Sequence, residues 1–382
     1  MYRVPPSFPL CVDGRMLVGG GTGVSRYAAS LAATLPVVGG RPMILRDNDD
    51  GPVGRWLTAA SPREVAVRVH EVQQGGSLET LYARHVFRAA QVHFGLYRRM
   101  LRLRATVGPG LMHWTYPVPI RLAGWINIYT VHDVIPLDRP DLARTDPKRL
   151  RAVLTRIVQA GDRIVTVSED ARARILAQLG CPAGQVVNCY QAVEATPASA
   201  TQPLAGGVLP DGYFLYCGLD EPRKNLPRLI EAYRGSGVAQ PLVLVGPDFS
   251  NTAGADGAGI VRLPYLPADR LADLVAHATA LLFPSLDEGF GLPAVEAMAA
   301  GTPVLTSSTG ALAEVTGGAA LGVNPTDASA IAAGIARLAG DAGLRVRLAG
   351  AGRLRAERFS RARFAARLRA VYADCIARSA GH

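Results

Sequence analysis

The stretch "LDEGFGLPAVEAMAAG" (286–301) carries two glutamates, Glu288 and Glu296, eight positions apart, with Gly289 and Gly291 between them. Before it, "ALLFPS" reads as a buried strand, and Pro293 suits the first turn of a helix running to Ala300 and stopping at Gly301. Glu288 then lies in the strand-to-helix loop and Glu296 one turn into the helix. Glycines let backbone amides approach a ligand closely, and a helix N-terminus favours anions. A carboxylate there can bridge the two hydroxyls of a ribose, and a second can hold sugar hydroxyls. The same acids could simply offset the helix dipole, and the local residues leave both readings open.

Arg223 and Lys224 in "YCGLDEPRKNLPRLIEAY" (216–233) add to the first reading. Two cations beside a helix start oppose the dipole unless an anion sits between them and the sheet. Lys148 and Lys224 are the chain's two lysines among 41 basic residues, so an ammonium at 224 departs from an arginine-rich background. The alternative is a solvated basic pair. In "LVGGGTGVSRYAASL" (17–31), Gly19, Gly20 and Gly21 precede a helix expected from about Ser25. Val24 occupies the third glycine position of the dinucleotide fingerprint, so that motif is absent. A flexible run of this kind permits close approach to phosphate or sugar, or is a mobile surface loop. His132 and Asp133 end the apolar strand of "NIYTVHDVIP" (127–136), where ligand contacts or a structural role are both expected.

These residues need a scaffold. Short apolar runs alternate with helical patterns along the 382 residues, which implies parallel sheets covered on both faces. The Pro/Ala/Thr/Gly stretch at 195–210 is the linker between two such units, with a ligand cleft at the carboxyl ends of both sheets. "RHVFRAAQVHFGLYRRMLRLRA" (84–105) plots as one helix. On it Arg84, Arg88, Arg98, Arg99 and Arg102 share a sector of about 100°, a stripe that suits anionic lipid or plain solvent. "DNDD" (47–50) reads as a polar turn.

Composition limits the function classes. A hydrophobic share of 49% supports full cores, and a formal net charge of +10 favours phosphates, nucleotides or acidic headgroups. No nucleic-acid signature accompanies the charge. The five cysteines form no CxxC pair, so neither a metal clip nor a disulfide framework is expected. No signal-length or membrane-spanning apolar run develops, so a cytoplasmic protein is expected.

"YFLYCGLDEPRKNLPRLIEAY", "PLVLVGP", "FPSLDEGFGLPAVEAMAAGTPVLTSS" and "LAEVTGGAALGVNPTD" together resemble the second domain of family 4 retaining glycosyltransferases of the GT-B fold. "GGGTGVSRYAASL" and "NIYTVHDVIPL" are similar to the matching first-domain loops, nearest the mannosyltransferase-like subgroup. The resemblance covers most of residues 10–355. It implies two facing Rossmann-like, doubly wound parallel-sheet domains: residues 1–195, joined by a returning helix at 360–382, and residues 205–359. It implies that Glu296 holds the donor ribose. Glu288 with the amides of Phe290 and Gly291 would hold the hexose, Gly289 and Leu292 would join them in binding the donor, and Arg223 and Lys224 would hold the diphosphate. Gly218 would line the donor site, and Gly20 and Gly21 would face phosphate and acceptor. His132 would contact the transferred hexose, with Asp133 and Gly19 on the acceptor side. Arg223, Lys224, His132 and Glu288 would carry catalysis.

The expected activity is retaining, metal-independent transfer of a hexose from a nucleotide diphosphate sugar, GDP-mannose first and UDP-glucose next. The acceptor would be a saccharide or lipid-linked saccharide in polysaccharide or glycolipid synthesis. No cofactor is expected beyond the donor as co-substrate. The arginine stripe would give peripheral contact with the cytoplasmic face of an inner membrane. A nucleotide-sugar epimerase and a non-catalytic scaffold of a polysaccharide assembly are the rival readings. Gln191-Ala192 departs from the Asn-Gly turn of many relatives, and no site is assigned to 186–195.

Overall fold

The computed structural model describes residues 4–17, 23–48, 65–69, 78–194, 212–250 and 252–379. The linker at 195–210 and Gly19, Gly20 and Gly21 fall outside them.

Two sheets organise the chain. The first contains β1 (Pro9–Asp13), β2 (Arg41–Asn48), β3 (Val65–Val69), β4 (Glu79–Arg84), β5 (Leu101–Ala105), β6 (Leu111–Trp114), β7 (Ile120–Leu122), β8 (Ile126–Thr130), β9 (Arg163–Thr166) and β10 (Val186–Asn188). Its order is β10-β9-β8-β6-β1-β2-β4-β3-β5-β7, with β3 antiparallel to β4 and the other pairs parallel. The second contains β11 (Phe214–Cys217), β12 (Leu242–Val245), β13 (Ile260–Leu263), β14 (Ala280–Phe283), β15 (Val304–Ser307) and β16 (Leu321–Val323). It is wholly parallel in the order β13-β12-β11-β14-β15-β16. That order reverses direction between β11 and β14, so the loops after these strands diverge and leave a crevice at their carboxyl ends. Asp13, Thr115 and His132, at or just past the ends of β1, β6 and β8, meet at the corresponding point of the first sheet, with the Thr115 amide donating to Asp13 and His132 Nε2 to the Thr115 carbonyl.

The central strands are continuous apolar runs because helices cover both faces: β11, β12, β14 and β15 are buried along their whole length. One buried cluster passes from Leu10, Tyr27 and Leu31 through Phe364 and Phe359 to Phe290 and Met298. Tyr27 meets Phe364 edge-on at 6.0 Å, and Phe359 meets Phe290 at 5.3 Å. The last helix (361–379) buries Phe364, Leu368 and Tyr372, and Arg369 donates to the carbonyls of Val37 and Val38 at the end of helix 23–38.

The segment 84–105 differs from the single helix expected. Arg84 ends β4, the helix spans Val86–Tyr97, and β5 occupies Leu101–Ala105. His85 and Arg98 adopt left-handed backbone (φ 50° and 52°), which breaks the helix at both ends. Leu101 and Leu103 are buried while Arg102 and Arg104 are exposed, a period of two that overrides the helical period. The five arginines are exposed, but Arg84, Arg88 and Arg102 stand on three different elements and Arg98 and Arg99 on the connection between the helix and β5, rather than on one stripe. Of "DNDD", Asp47 and Asn48 end β2, and Asp47 accepts the Val86 amide at 3.2 Å, while Asp49 and Asp50 lie outside the described residues. The helix expected near Ser25 begins at Gly23.

Candidate active site

The crevice between the sheets forms a cavity of about 280 Å³. From the second domain it is lined by the loop after β11 (Cys217 to Lys224) and the loop after β14 (Glu288 to Pro293). From the first it is lined by Arg26, His132, Asp133 and Gln191.

The helix after β14 spans Leu292–Ala300, entered from Gly291 at φ 94° and closed by Gly301 at φ 82°. A side chain on Gly291 would strain the backbone and strike Leu312. Gly289 answers a different demand. A Cβ there would collide with the backbone carbonyl of His132 in the facing domain. Ser168, which caps helix 169–179, also donates to the Gly289 carbonyl at 2.7 Å. Gly289→Ala should push the domains apart at a cost of about 1–3 kcal/mol. Small-angle scattering should then report a more open particle and turnover should fall; unchanged scattering would contradict this role.

Arg223 and Lys224 form one turn of 3-10 helix ahead of Asn225, whose φ is 60°. The Asn225 side chain donates to the carbonyls of Pro284 (3.0 Å) and Pro325 (2.6 Å), and the Leu286 amide donates to the Arg223 carbonyl (2.7 Å). These bonds stitch the two ligand-facing loops together. Glu288, 7% exposed, accepts from Arg223 Nη1 at 2.6 Å and from Lys224 Nζ on its other oxygen. Arg223 Nε also contacts Glu221 at 2.9 Å, and Lys224 Nζ lies 4.6 Å over the Phe283 ring. Burial pushes the Glu288 carboxyl up, but Lys224 and Arg223 outweigh it and hold the group below its ordinary value. Burial pulls the Arg223 guanidinium down, and Glu288 and Glu221 more than restore it. The cleft therefore holds a desolvated carboxylate flanked by two cations.

Glu296 stands apart from this group. Both of its oxygens are taken by Arg26 of the first domain, at 2.7 and 2.8 Å, and it faces a smaller adjoining cavity that Arg26 shares with the main one. Burial raises the Glu296 carboxyl, and Arg26 opposes that rise.

His132 lies two residues past the end of β8. Its Nε2 is 3.0 Å from the Thr115 carbonyl and so donates to it, which leaves Nδ1 as the acceptor nitrogen. Tyr27 packs edge-on at 4.8 Å. The ring shows an edge to the cleft, but its other surroundings exclude water, and burial lowers its pKa to about 4. The imidazole is therefore neutral at pH 7. The unfolded chain takes up this proton first, so the His132 contribution to stability declines as pH falls from about 6.5 through 4. Ring 15N signals should keep the neutral, Nε2-protonated pattern at pH 5.5; a titration near 6.5 would contradict the environment described.

Asp133 lines the same cavity, turned by a bond from the Ile135 amide to its Oδ1 at 3.1 Å; burial raises its carboxyl and Arg223 opposes that. Gly218, Gly289, Phe290, Gly291 and Leu292 all line the space. The lining residues that had no part in the sequence-based site include the polar side chains of Arg26, Glu221 and the buried Gln191. Arg26 carried a signal, being, like Arg223 and Lys224, a cation close to a helix start. The arginine-rich composition masked it. Among the described residues no cluster of three His, Cys, Asp or Glu side chains is placed to hold a metal ion, and no helix is long and apolar enough to cross a membrane.

Two facing parallel-sheet domains with this cleft define the GT-B class of glycosyltransferase fold, and solved structures agree. Sucrose-phosphate synthase from Thermosynechococcus elongatus superposes with a TM-score of 0.70 at 21% identity, covering 97% of this chain and 99% of that one. WaaG, a glycosyltransferase involved in lipopolysaccharide biosynthesis, gives 0.59 at 17% identity, covering 91% and 95%. The family model described as Glycosyltransferase Family 4 matches residues 21–195, and the one described as Glycosyl transferases group 1 matches 208–355. The chain belongs to the family 4 glycosyltransferases.

O-antigen chain mannosyltransferase B of Escherichia coli is 33% identical over 54% of this chain and 60% of its own length. The serotype-specific mannosyltransferase WbdA of the same organism is 29% identical over 56% of this chain and 29% of its own length. The MMP alpha-(1->4)-mannosyltransferase of Mycolicibacterium hassiacum is 46% identical over 30% of this chain and 29% of its own. The chain thus spans 60% or less of the length of these curated relatives.

Proposed function

We propose that this glycosyltransferase moves mannose from GDP-mannose to a saccharide or lipid-linked saccharide during polysaccharide or glycolipid synthesis, with retention and without a metal. The mannosyltransferase relatives support the sugar. The observation that carries the chemistry is the Arg223–Glu288–Lys224 cluster at the sheet switch point. Expelling a nucleoside diphosphate places negative charge on its phosphates, and preplaced cations stabilise that charge. When donor binds, Arg223 and Lys224 turn from Glu288 to the diphosphate, and Glu288 with the amides of Phe290 and Gly291 takes the hexose hydroxyls. Glu296 leaves Arg26 for the ribose diol. Neutral His132 offers Nδ1 to a hexose hydroxyl. The acceptor oxygen bonds to the anomeric carbon on the face from which the C–O(phosphate) bond breaks, and the departing phosphate takes the acceptor's proton.

Purified protein in EDTA, given GDP-mannose, UDP-glucose and a panel of mannosides, tests this reading. New α-mannoside from GDP-mannose supports it. No turnover of any nucleotide sugar favours the scaffold, and conversion of donor without acceptor favours the epimerase. UDP-glucose stays as second donor because a neighbour of the same fold, Anabaena Alr3699/HepE, was solved with UDP-glucose. Exposed Leu96 and Tyr97 beside exposed Arg98 and Arg99 give membrane docking a smaller basis than one stripe would. Failure to sediment with acidic vesicles at low salt would remove it.

A further inference from the structure

A side chamber of about 210 Å³ opens off the cleft, between segment 133–145 of the first domain and the loop 221–223 of the second. Asp133, Glu221 and Arg223 line both spaces, so the chamber and the cleft share a wall. We propose that this chamber receives the terminal ring of the acceptor, a neutral hexopyranoside, with its hydroxyls held by the carboxylates of Asp133 and Glu221. The inference rests on the reading of the cleft as the donor site.

Position carries it first. A same-face displacement requires the acceptor hydroxyl beside the departing phosphate, and that phosphate is assigned to Arg223, one of the three residues common to both spaces. Size carries it second. The chamber is smaller than the ~300–1,000 Å³ of sites for drug-sized ligands, which suits one sugar ring. Chemistry carries it third. Two carboxylates converge on the chamber, each oriented through one oxygen: Asp133 by the Ile135 amide at 3.1 Å, and Glu221 by Arg223 Nε at 2.9 Å. Carboxylates accept from ring hydroxyls, and because Arg144 and Arg223 on the same lining balance Asp133 and Glu221, the chamber suits a neutral sugar. Arg144, donating to the Asp220 carbonyl at 3.4 Å, also lines it, from the first-domain side.

Ala143 lines the chamber but not the cleft, on extended backbone that accepts a larger side chain. Saturation-transfer NMR of methyl α-D-mannopyranoside, with GDP or UDP present, compares wild type, Ala143→Trp and Glu221→Gln. We expect sugar signals from wild type, none from Ala143→Trp, and at least a tenfold weaker response from Glu221→Gln. Nucleotide signals should be unchanged in Ala143→Trp, which also reports that it has folded. Should the Trp variant lose its nucleotide signals too, Glu221→Gln alone decides. Sugar signals that persist in the folded Trp variant or undiminished in Glu221→Gln, or that are missing from wild type while the nucleotide binds, overturn the chamber assignment. If no nucleotide binds wild type, the donor-site reading fails and takes this inference with it.

Discussion

Lys224→Ala is expected to lower turnover of the nucleotide sugar about a hundredfold while changing nucleotide affinity only a few-fold. Lys224 is 8% exposed, bonded to Glu288 and seated over the Phe283 ring, so its ammonium is already held at the cleft wall and only has to change partner when the diphosphate arrives. A preplaced cation stabilises charge that develops only as the diphosphate departs. Removal of one such group costs on the order of 3 kcal/mol in the barrier. Because the effect belongs to the transition state, kcat should carry the loss and KM little of it. Steady-state kinetics decide the matter, and activity within a few-fold of wild type would remove Lys224 from the mechanism. Arginine at 224 should rescue poorly, since its planar fork does not replace a compact ammonium on the ring face.

Glu288→Ala is expected to destabilise the fold as a core truncation would. It strips Arg223 and Lys224 of the carboxylate they share in a desolvated setting. Breaking a buried charge cluster by removing one member costs about 3–5 kcal/mol. Scanning calorimetry should show a melting temperature lower by several degrees. An added nucleoside diphosphate should restore part of the loss, because its phosphates meet the same two cations. Turnover should stay low in spite of that rescue, since the hexose hydroxyls have lost their acceptor. A variant as stable as wild type would mean that the cluster is solvated. A variant that no nucleotide rescues would place the diphosphate elsewhere.

The second domain was readable in unusual detail, and for physical reasons. Strands buried on both faces are unbroken apolar runs, and the helix after Gly291 carries its own punctuation in Pro293 and Gly301. Lys224 stood out because lysine is rare in this chain. The first domain was less legible at its edge. In 84–105 the arginines fit a helix as well as a strand, and the buried Leu101 and Leu103 decided the outcome only once β7 lay beside them. Ion pairs between the domains were not legible at all. Arg26 meets Glu296 across 270 residues of chain, and Arg174 holds Asp287 at 2.7 and 2.8 Å from the opposite side of the cleft. No local pattern encodes such partners. The sequence therefore named Glu296 without its present occupant, and named Glu288 and the two cations without revealing that they neutralise one another.

That exchange of partners is the centre of the account, and nucleotide-induced thermal stabilisation tests it most directly. Wild type and Glu296→Ala are melted with GDP, UDP, ADP and dTDP. A diphosphate at 100 times its dissociation constant adds about 2.7 kcal/mol. The account predicts that one of them, GDP first, stabilises wild type and that Glu296→Ala loses most of the response. An equal response in the mutant, or none in wild type, would contradict it.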